Sequence, residues 1–120
     1  MYMKASKRTL IAGILSASLA SSQIASASVS CTGQISYIGL DASGDVVIGL
    51  VGVNIHKICN SSSQGAFLTN PTVCRMVHGS LLGNQIAGKT VTLYYNDASI
   101  TSCSQIGAWS IQPSFYFLQF

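Results

Sequence analysis

The sequence predicts a small, mainly β domain that contains one α-helix and is cross-linked by disulfides. Three observations lead to this fold class. Short runs rich in β-branched and aromatic residues recur along the chain and are separated by turn residues. One stretch, from Asn70 to Gly88, has helical periodicity and signals for both helix ends. Four cysteines follow a leader typical of exported proteins, and an even cysteine count in such a chain indicates two disulfides.

Residues 1–27 form the predicted export signal. Its positive start comes from Lys4, Lys7 and Arg8. The run 10–20 is uncharged and mostly apolar, and its eleven residues are too few to span a bilayer. An A-x-A pattern ends at Ala27, which predicts cleavage between Ala27 and Ser28. We therefore expect one domain, 28–120, that is secreted or periplasmic and is not inserted in the membrane.

The predicted leader carries the whole net charge of +3. The remaining chain has three cations and three anions, namely Lys57, Arg75 and Lys89 against Asp41, Asp45 and Asp97. Binding to nucleic acid or to an anionic membrane surface requires a basic patch. Three scattered cations do not supply one, so neither partner is expected.

Five strands are predicted, with the helix between the third and the fourth. The strands cover 33–40, 45–53, 55–59, 90–95 and 114–120. Asn70 is a favourable N-cap, Pro71 suits the first helical position, and Gly88 suits a left-handed stop. An apolar stripe at helical spacing is formed by Val73, Met76, Val77 and Leu81. The order β-β-β-α-β-β is that of a small five-stranded OB-like barrel.

The four cysteines, Cys31, Cys59, Cys74 and Cys103, allow three pairings. The element order favours Cys59 with Cys74, because one ends the third strand and the other lies in the first helical turns. Cys31 and Cys103 then join the start of the first strand to the loop before the last. A bridge at Cys74 would anchor a helix that two internal glycines weaken by about 1 kcal/mol each relative to alanine.

Two motifs suggest other chemistry. The run from Gly83 to Thr90 matches G-x-x-x-x-G-K-T, but the predicted helix precedes it and a strand follows it, which reverses the order of a P-loop. We interpret this run as a helix stop and a strand start. His56 and Cys59, with Cys74 and His78, have the spacing of a Cys₂His₂ zinc site. Export favours a disulfide between the two cysteines instead, so no cofactor or metal is expected.

The layout C-x-G…G-D-V-V…K-I-C…P-x-x-C…G-K-T-V-T-L-Y-Y…C-S-Q-I-G-x-W resembles a family of small secreted proteobacterial proteins without assigned function. Its most specific parts are Gly88-Lys89 before a strand and Cys103-Ser104 followed by Trp109. The element order and the cross-linked helix are more distantly similar to the binding subunits of AB-type bacterial toxins such as subtilase cytotoxin. That resemblance implies an OB-type domain that forms pentamers and binds glycans, but no sugar-contacting residue can be matched onto this chain.

We predict a non-catalytic binding module for a glycan or a surface protein, and a homo-oligomer is compatible with this role. The candidate ligand-binding residues are Trp109, Tyr94 and Tyr95, although such rings more often lie in a core. The domain has no glutamate, no G-x-S-x-G elbow, and aspartates only at predicted turns, so we expect no enzyme activity. The alternatives are a structural or accessory secreted protein without a small ligand, and a small hydrolase whose residues meet only in space.

Overall fold

A computed structural model describes residues 28–120 and, before them, Gly13 alone. Apart from Gly13, the predicted export signal therefore lies outside the described residues, and so does its last residue, Ala27. The described elements are β1 Ser28–Leu40, β2 Asp45–Leu50, β3 Val53–Asn60, α1 Pro71–Ile86, β4 Thr90–Asn96, a 3₁₀ helix Cys103–Gln105, β5 Ser110–Ile111 and β6 Phe115–Gln119. Within this part of the chain, no helix is long and apolar enough to cross a membrane.

The strands form one mixed six-stranded sheet in the order β5-β3-β2-β1-β4-β6. β1 pairs antiparallel with both β2 and β4, and β5 pairs parallel with β3. The mainly β fold with one helix is confirmed, but the strand count is not, because the hydrogen-bonded order is open and has six strands. The extra strand, β5, is only two residues long, and two residues carry no alternation by which a sequence could reveal them.

β1 is longer than its predicted range of 33–40 and begins at Ser28. Its first half pairs with β4, from Ser28 opposite Asn96 to Gln34 opposite Thr90. The first five residues alternate between exposed serine or threonine and more buried Val29 and Cys31. A bulge near Ser36 then shifts the pairing with β2. Ser36 and Tyr37 are both exposed as a result.

The predicted boundary between the second and third strands also needs correction. Val53 belongs to β3, because Val51 and Gly52 form the turn between the two strands. Gly52 has a φ of 83°, a conformation that glycine adopts easily. β2 therefore ends at Leu50 instead of at Val53.

The helix begins as the sequence predicts. The side chain of Asn70 accepts the N–H of Val73 at 2.9 Å, and Pro71 is the first helical residue. The predicted apolar stripe is buried only in part, since Val73 and Met76 are 43% and 67% exposed. The buried residues are Cys74, Val77, Leu81 and Asn84. The disulfide at Cys74 ties this side of α1 to β3, which turns Val73 and Met76 toward solvent.

The core lies between the sheet and α1. Its largest fully buried side chains include Ile48, Leu50, Ile58, Leu81, Leu93, Tyr95, Ile106 and Phe115. Two disulfides cross it, Cys31–Cys103 with a sequence separation of 72 and Cys59–Cys74 with a separation of 15. These are the two pairs that the element order favours. The shorter bridge fixes α1 on β3, and the longer one fixes the loop after β4 on β1.

Candidate binding surfaces

An exposed aromatic pair lies beside the β1–β2–β3 part of the sheet. The ring centroids of Tyr37 and Trp109 are 6.0 Å apart, and the ring planes meet at 77°. Tyr37 is 39% exposed and Trp109 is 57% exposed. Edge-to-face contact of this kind is a favourable aromatic geometry. The Tyr37–Trp109 pair therefore presents two rings to solvent, held at nearly right angles to each other.

The backbone at Trp109 is strained. Its φ is 60°, and among the described residues no other non-glycine residue has a positive φ. A bulky L-residue in this conformation brings its Cβ too close to the following carbonyl, at a cost of about 1–2 kcal/mol. The N–H of Trp109 donates to the carbonyl of Ile55 at 2.6 Å, and Ser110 pairs with His56 directly afterwards. These bonds to β3 hold the strained residue in place.

Tyr37 was not among the predicted site residues, and Gly39 makes room for its ring. Its ring lies against Gly39, where an added Cβ would be 3.0 Å from Cε1 and 3.1 Å from the hydroxyl oxygen of Tyr37. Gly49 is opposite Tyr37 on β2, and a Cβ there would be 3.0 Å from Cγ1 of Ile55. Glycine inside a strand indicates close approach of another group. Gly39 was therefore the available signal for the Tyr37 ring, whereas Gly49 accommodates Ile55 of β3.

Tyr94 belongs to a second aromatic cluster, formed with β6. Its ring centroid lies 5.4 Å from that of Phe117 and 6.4 Å from that of Tyr116. Its hydroxyl donates to the side-chain oxygen of Gln119 at 2.6 Å. Tyr94 is half-buried, whereas Tyr116 and Phe117 are exposed. The structure thus brings Tyr94 together with β6, and it places Trp109 in a different aromatic pair.

Tyr95 is a core residue, so its prediction as a surface contact is corrected. It is 0% exposed, and its ring lies 6.0 Å from that of Phe115. Its hydroxyl is 2.5 Å from Nε2 of His56, whose Nδ1 is 2.7 Å from the carbonyl oxygen of Asn54. A carbonyl can only accept, so Nδ1 carries the proton and Nε2 accepts from Tyr95. Alternation along β4 is the reason, since it turns Leu93 and Tyr95 inward and Tyr94 outward.

Burial sets the protonation of this histidine–tyrosine pair. Desolvation lowers the pKa of His56 below its ordinary value, and the hydrogen bond to Asn54 opposes this only in part. Desolvation also raises the pKa of Tyr95. Both groups are therefore neutral near pH 7, and both are used in holding the core together.

Three of the four residues of the alternative zinc site, Cys59, Cys74 and His56, are engaged elsewhere, and His78 is half-buried on α1. Cys59 and Cys74 are joined in a disulfide, so neither can act as a thiolate ligand. Both ring nitrogens of His56 have hydrogen-bond partners within the protein. Within residues 28–120 there is no group of three or more histidines, cysteines or carboxylates arranged to hold a metal ion.

The carboxylates lie in turns and ion pairs. Lys57 Nζ is 3.0 Å from Asp41 and 3.4 Å from Asp45. The Ser43 hydroxyl, then Lys57 and the backbone N–H of Asp45, hold the pKa of Asp41 well below its usual range. Hydrogen bonds from Ser99 lower the pKa of Asp97 in the same way. Asp41 and Asp97 therefore act as turn formers, the role expected of them from sequence.

The G-x-x-x-x-G-K-T run spans the end of α1 and the start of β4. Gly83 lies inside the helix, and Gly88 follows its end with a φ of 66°. The N–H of Lys89 donates to the carbonyl of Asn84 at 3.0 Å, and β4 begins at Thr90. Helix before and strand after is the reverse of the order in which a P-loop presents a helix N-terminus to phosphates.

An apolar groove of about 330 Å³ runs between α1 and the edge of β6. The residues that define this α1–β6 groove include Val73, Met76, Ser80, Phe117, Leu118 and Phe120. Met76 and Phe120 are 67% and 74% exposed. Val73 and Met76 belong to the predicted apolar stripe of α1, but the sequence did not predict that they line a surface groove.

The resemblance to secreted proteobacterial proteins and to toxin binding subunits stays a prediction. It rests on the spacing of residues and on the order of elements, and fold-level similarity of this kind does not establish a function. Comparison of the chain with protein-family models, with curated proteins and with solved structures finds no match.

Proposed function

We propose that this chain is an exported, non-catalytic binding module whose Tyr37–Trp109 pair binds a neutral glycan. The observation that carries the proposal is the exposure of Trp109 in a left-handed backbone conformation. The flat apolar faces of sugar rings pack against aromatic rings, and two rings near a right angle fit two faces of one oligosaccharide.

The free-energy cost of the Trp109 backbone conformation indicates that this residue has a role other than stabilising the fold. The backbone conformation costs about 1–2 kcal/mol for a residue with a Cβ. The edge contact with Tyr37 returns about 0.5–1.5 kcal/mol, and a ring that is 57% exposed gains little more from burial. Glycine or asparagine would fill the position at lower cost. Strain of this kind is concentrated at functional sites, where a ligand benefits from it.

The surroundings of Trp109 suit a neutral, hydroxyl-rich ligand. The next polar side chains along the chain are Ser110 and Gln112, which are uncharged and are hydrogen-bonded to each other at 3.1 Å. The side-chain amide of Asn54 donates to the carbonyl of Ile106 at 2.9 Å and fixes the loop to β3. A loop held at both sides presents its aromatic ring with little loss of freedom on binding.

An OB-like closure of the sheet would place this pair at a known type of binding face. We infer that β5 and β6 are halves of one interrupted strand, because β5 pairs with β3, β6 pairs with β4, and only 112–114 separate them. Such a strand would join the two ends of the sheet through β5 alone, and the edge of β6 that faces away from β4 would stay unpaired. OB barrels bind oligosaccharides through the face of their second and third strands and the loop between the last two. Tyr37 lies beside that face, and Trp109 lies in that loop.

A substitution at Trp109 separates binding from folding. We expect Trp109→Asn to abolish binding to the oligosaccharide that wild-type protein selects from an array of neutral glycans, measured by calorimetric titration. We expect its thermal midpoint to stay within a few degrees of wild type, because relief of strain offsets the lost ring contact. The matched control is Tyr116→Asn, which removes an exposed ring of the other cluster.

Two outcomes would refute the proposal. One is an array on which wild-type protein binds no glycan. The other is a Trp109→Asn variant that binds like wild type but unfolds at a much lower temperature, which would make Trp109 a structural residue. The non-catalytic role is supported by the carboxylates, since Asp41, Asp45 and Asp97 are all used in ion pairs or turns.

Export has its own test. The intact mass of protein recovered from the periplasm or medium should correspond to a chain that begins at Ser28. A lipid-modified Cys31 would contradict this prediction. The Cys31–Cys103 disulfide excludes such a modification, because the sulfur of Cys31 is already bonded to that of Cys103.

A further inference from the structure

We propose that two copies of this chain associate through β6, whose exposed edge pairs antiparallel with β6 of the second copy and covers the α1–β6 groove. This surface is different from the Tyr37–Trp109 pair, so the dimer and the glycan site stand or fall separately.

β6 lies at one end of the sheet. It pairs with β4 on one side, and no strand of residues 28–120 pairs with it on the other. The hydroxyl of Thr69 donates to the carbonyl of Phe115 at 3.1 Å and covers the start of the strand. An open edge presents unpaired N–H and C=O groups, and proteins usually protect it with lysine, proline or a covering element. The run 116–120 contains no charged residue and no proline.

The groove beside this edge is apolar. Val73, Met76, Phe117 and Phe120 are between 43% and 74% exposed. Among the described residues that line the groove, none is a lysine, arginine, aspartate or glutamate. A charged partner would lose its solvation here without finding an opposite charge. The chemistry of the groove therefore fits an extended, uncharged and apolar strand.

β6 is itself such a strand, with the sequence FYFLQ. A two-fold axis beside Phe117 and Leu118 would place each edge against the other, with the aromatic residues of one copy over the groove of its partner. Assembly through this contact stops at two copies, since each copy uses the same surface. The other end of the sheet offers only the two residues of β5, too few to support a head-to-tail chain.

The exposed area matches what a weak dimer needs. Tyr116, Phe117 and Phe120 are 47%, 52% and 74% exposed. At about 200 Å² for a whole aromatic side chain, these three contribute roughly 350 Å². Val73 and Met76 bring the apolar area to roughly 500 Å² per copy, or about 1,000 Å² for the pair, the lower limit of a specific interface. We therefore expect a dimer that dissociates on dilution.

Sedimentation equilibrium over a wide concentration range tests the proposal. Wild-type protein should change from one chain to two as concentration rises from about 1 to about 500 μM. Met76→Lys should remain monomeric over this range, because it places a charge in the groove. The matched control is Ile86→Lys, which makes the same change on the same helix at a residue that is 87% exposed and outside the groove. Ile86→Lys should dimerise like wild type.

A second variant and a second measurement locate the contact on the strand. Phe117→Lys should also be monomeric, and thermal unfolding shows whether it has folded. Hydrogen exchange of wild type should slow in 116–119 as concentration rises, because strand pairing protects backbone amides. A wild-type protein that stays monomeric, assembly beyond two chains, or dimerisation of Met76→Lys at wild-type strength would each overturn the proposal.

Discussion

His56 makes the stability of this domain depend on pH. Its Nδ1–H donates to the carbonyl of Asn54 and its Nε2 accepts from Tyr95, so a second proton would bring charge into the core and remove an acceptor. Burial accordingly holds the pKa of His56 below the ordinary 6.5. Near pH 6.5 and below, the unfolded chain binds a proton that the folded chain does not. Stability is therefore complete above pH 6.5 and falls as the pH drops below it.

We expect denaturant unfolding to require less denaturant at about pH 5.5 than at about pH 7.5. His56→Gln should remove this difference, because glutamine does not titrate. Asp41 and Asp97 do not interfere, since the depressed pKa of each affects stability only below the unfolded value of 3.8. An equal pH dependence in wild type and in His56→Gln would assign the effect to another group.

Helix α1 is limited by its own glycines. A Cβ at Gly79 or Gly83 would meet nothing within 4 Å outside the helix's own backbone. We expect Gly79→Ala and Gly83→Ala each to stabilise the domain by about 1 kcal/mol, because alanine has the higher helix propensity. Urea unfolding measures both changes. No gain in either variant would show that packing around α1 opposes the added methyl group.

The space around Gly88 is equally open, but here we expect an added side chain to destabilise the domain. Nothing lies within 4 Å of a Cβ at Gly88, but its φ is 66°. A side chain in this conformation costs about 1–2 kcal/mol, and a β-branched one costs more. Gly88→Val should therefore lower the unfolding midpoint in urea, whereas Lys89→Ala, the neighbouring exposed position, should leave it unchanged. An unchanged midpoint for Gly88→Val would contradict a left-handed stop at this position.

The sequence predicts elements that are specified by local signals. It does not predict features that depend on the rotation of a helix about its axis or on the elements packed against a strand. The helix start at Asn70 and Pro71 comes from capping chemistry, which is contained in the sequence. The rotation of α1 about its axis depends on the disulfide at Cys74, so the predicted apolar stripe includes Met76 although this residue is exposed. Alternation on β4 is equally visible in sequence, but only the contacts of Tyr95 with Phe115 of β6 and His56 of β3 decide that Tyr95 is the buried tyrosine.

Two disulfides stabilise the domain, and they close loops of different length. On the chain-entropy estimate, closing a loop of 15 residues stabilises by about 3 kcal/mol and one of about 70 residues by about 4 kcal/mol. We expect replacement of Cys31 and Cys103 by alanine to destabilise more than replacement of Cys59 and Cys74. Guanidinium unfolding of the two double variants tests the order. The reverse order would mean that anchoring of α1 outweighs loop closure.

The division of β1 between two partners also sets an order of events during folding. Its second half pairs with β2, the next strand along the chain, whereas its first half pairs with β4, where Cys31 faces Leu93 about 60 residues away. Contacts close in sequence tend to form first, so we expect the β1–β2–β3 meander to form before the pairing with β4. Until β4 pairs with it, the first half of β1 has no partner strand. We expect the serines and threonine of this segment, which obscure the strand in sequence, to lower its tendency to aggregate before β4 pairs with it.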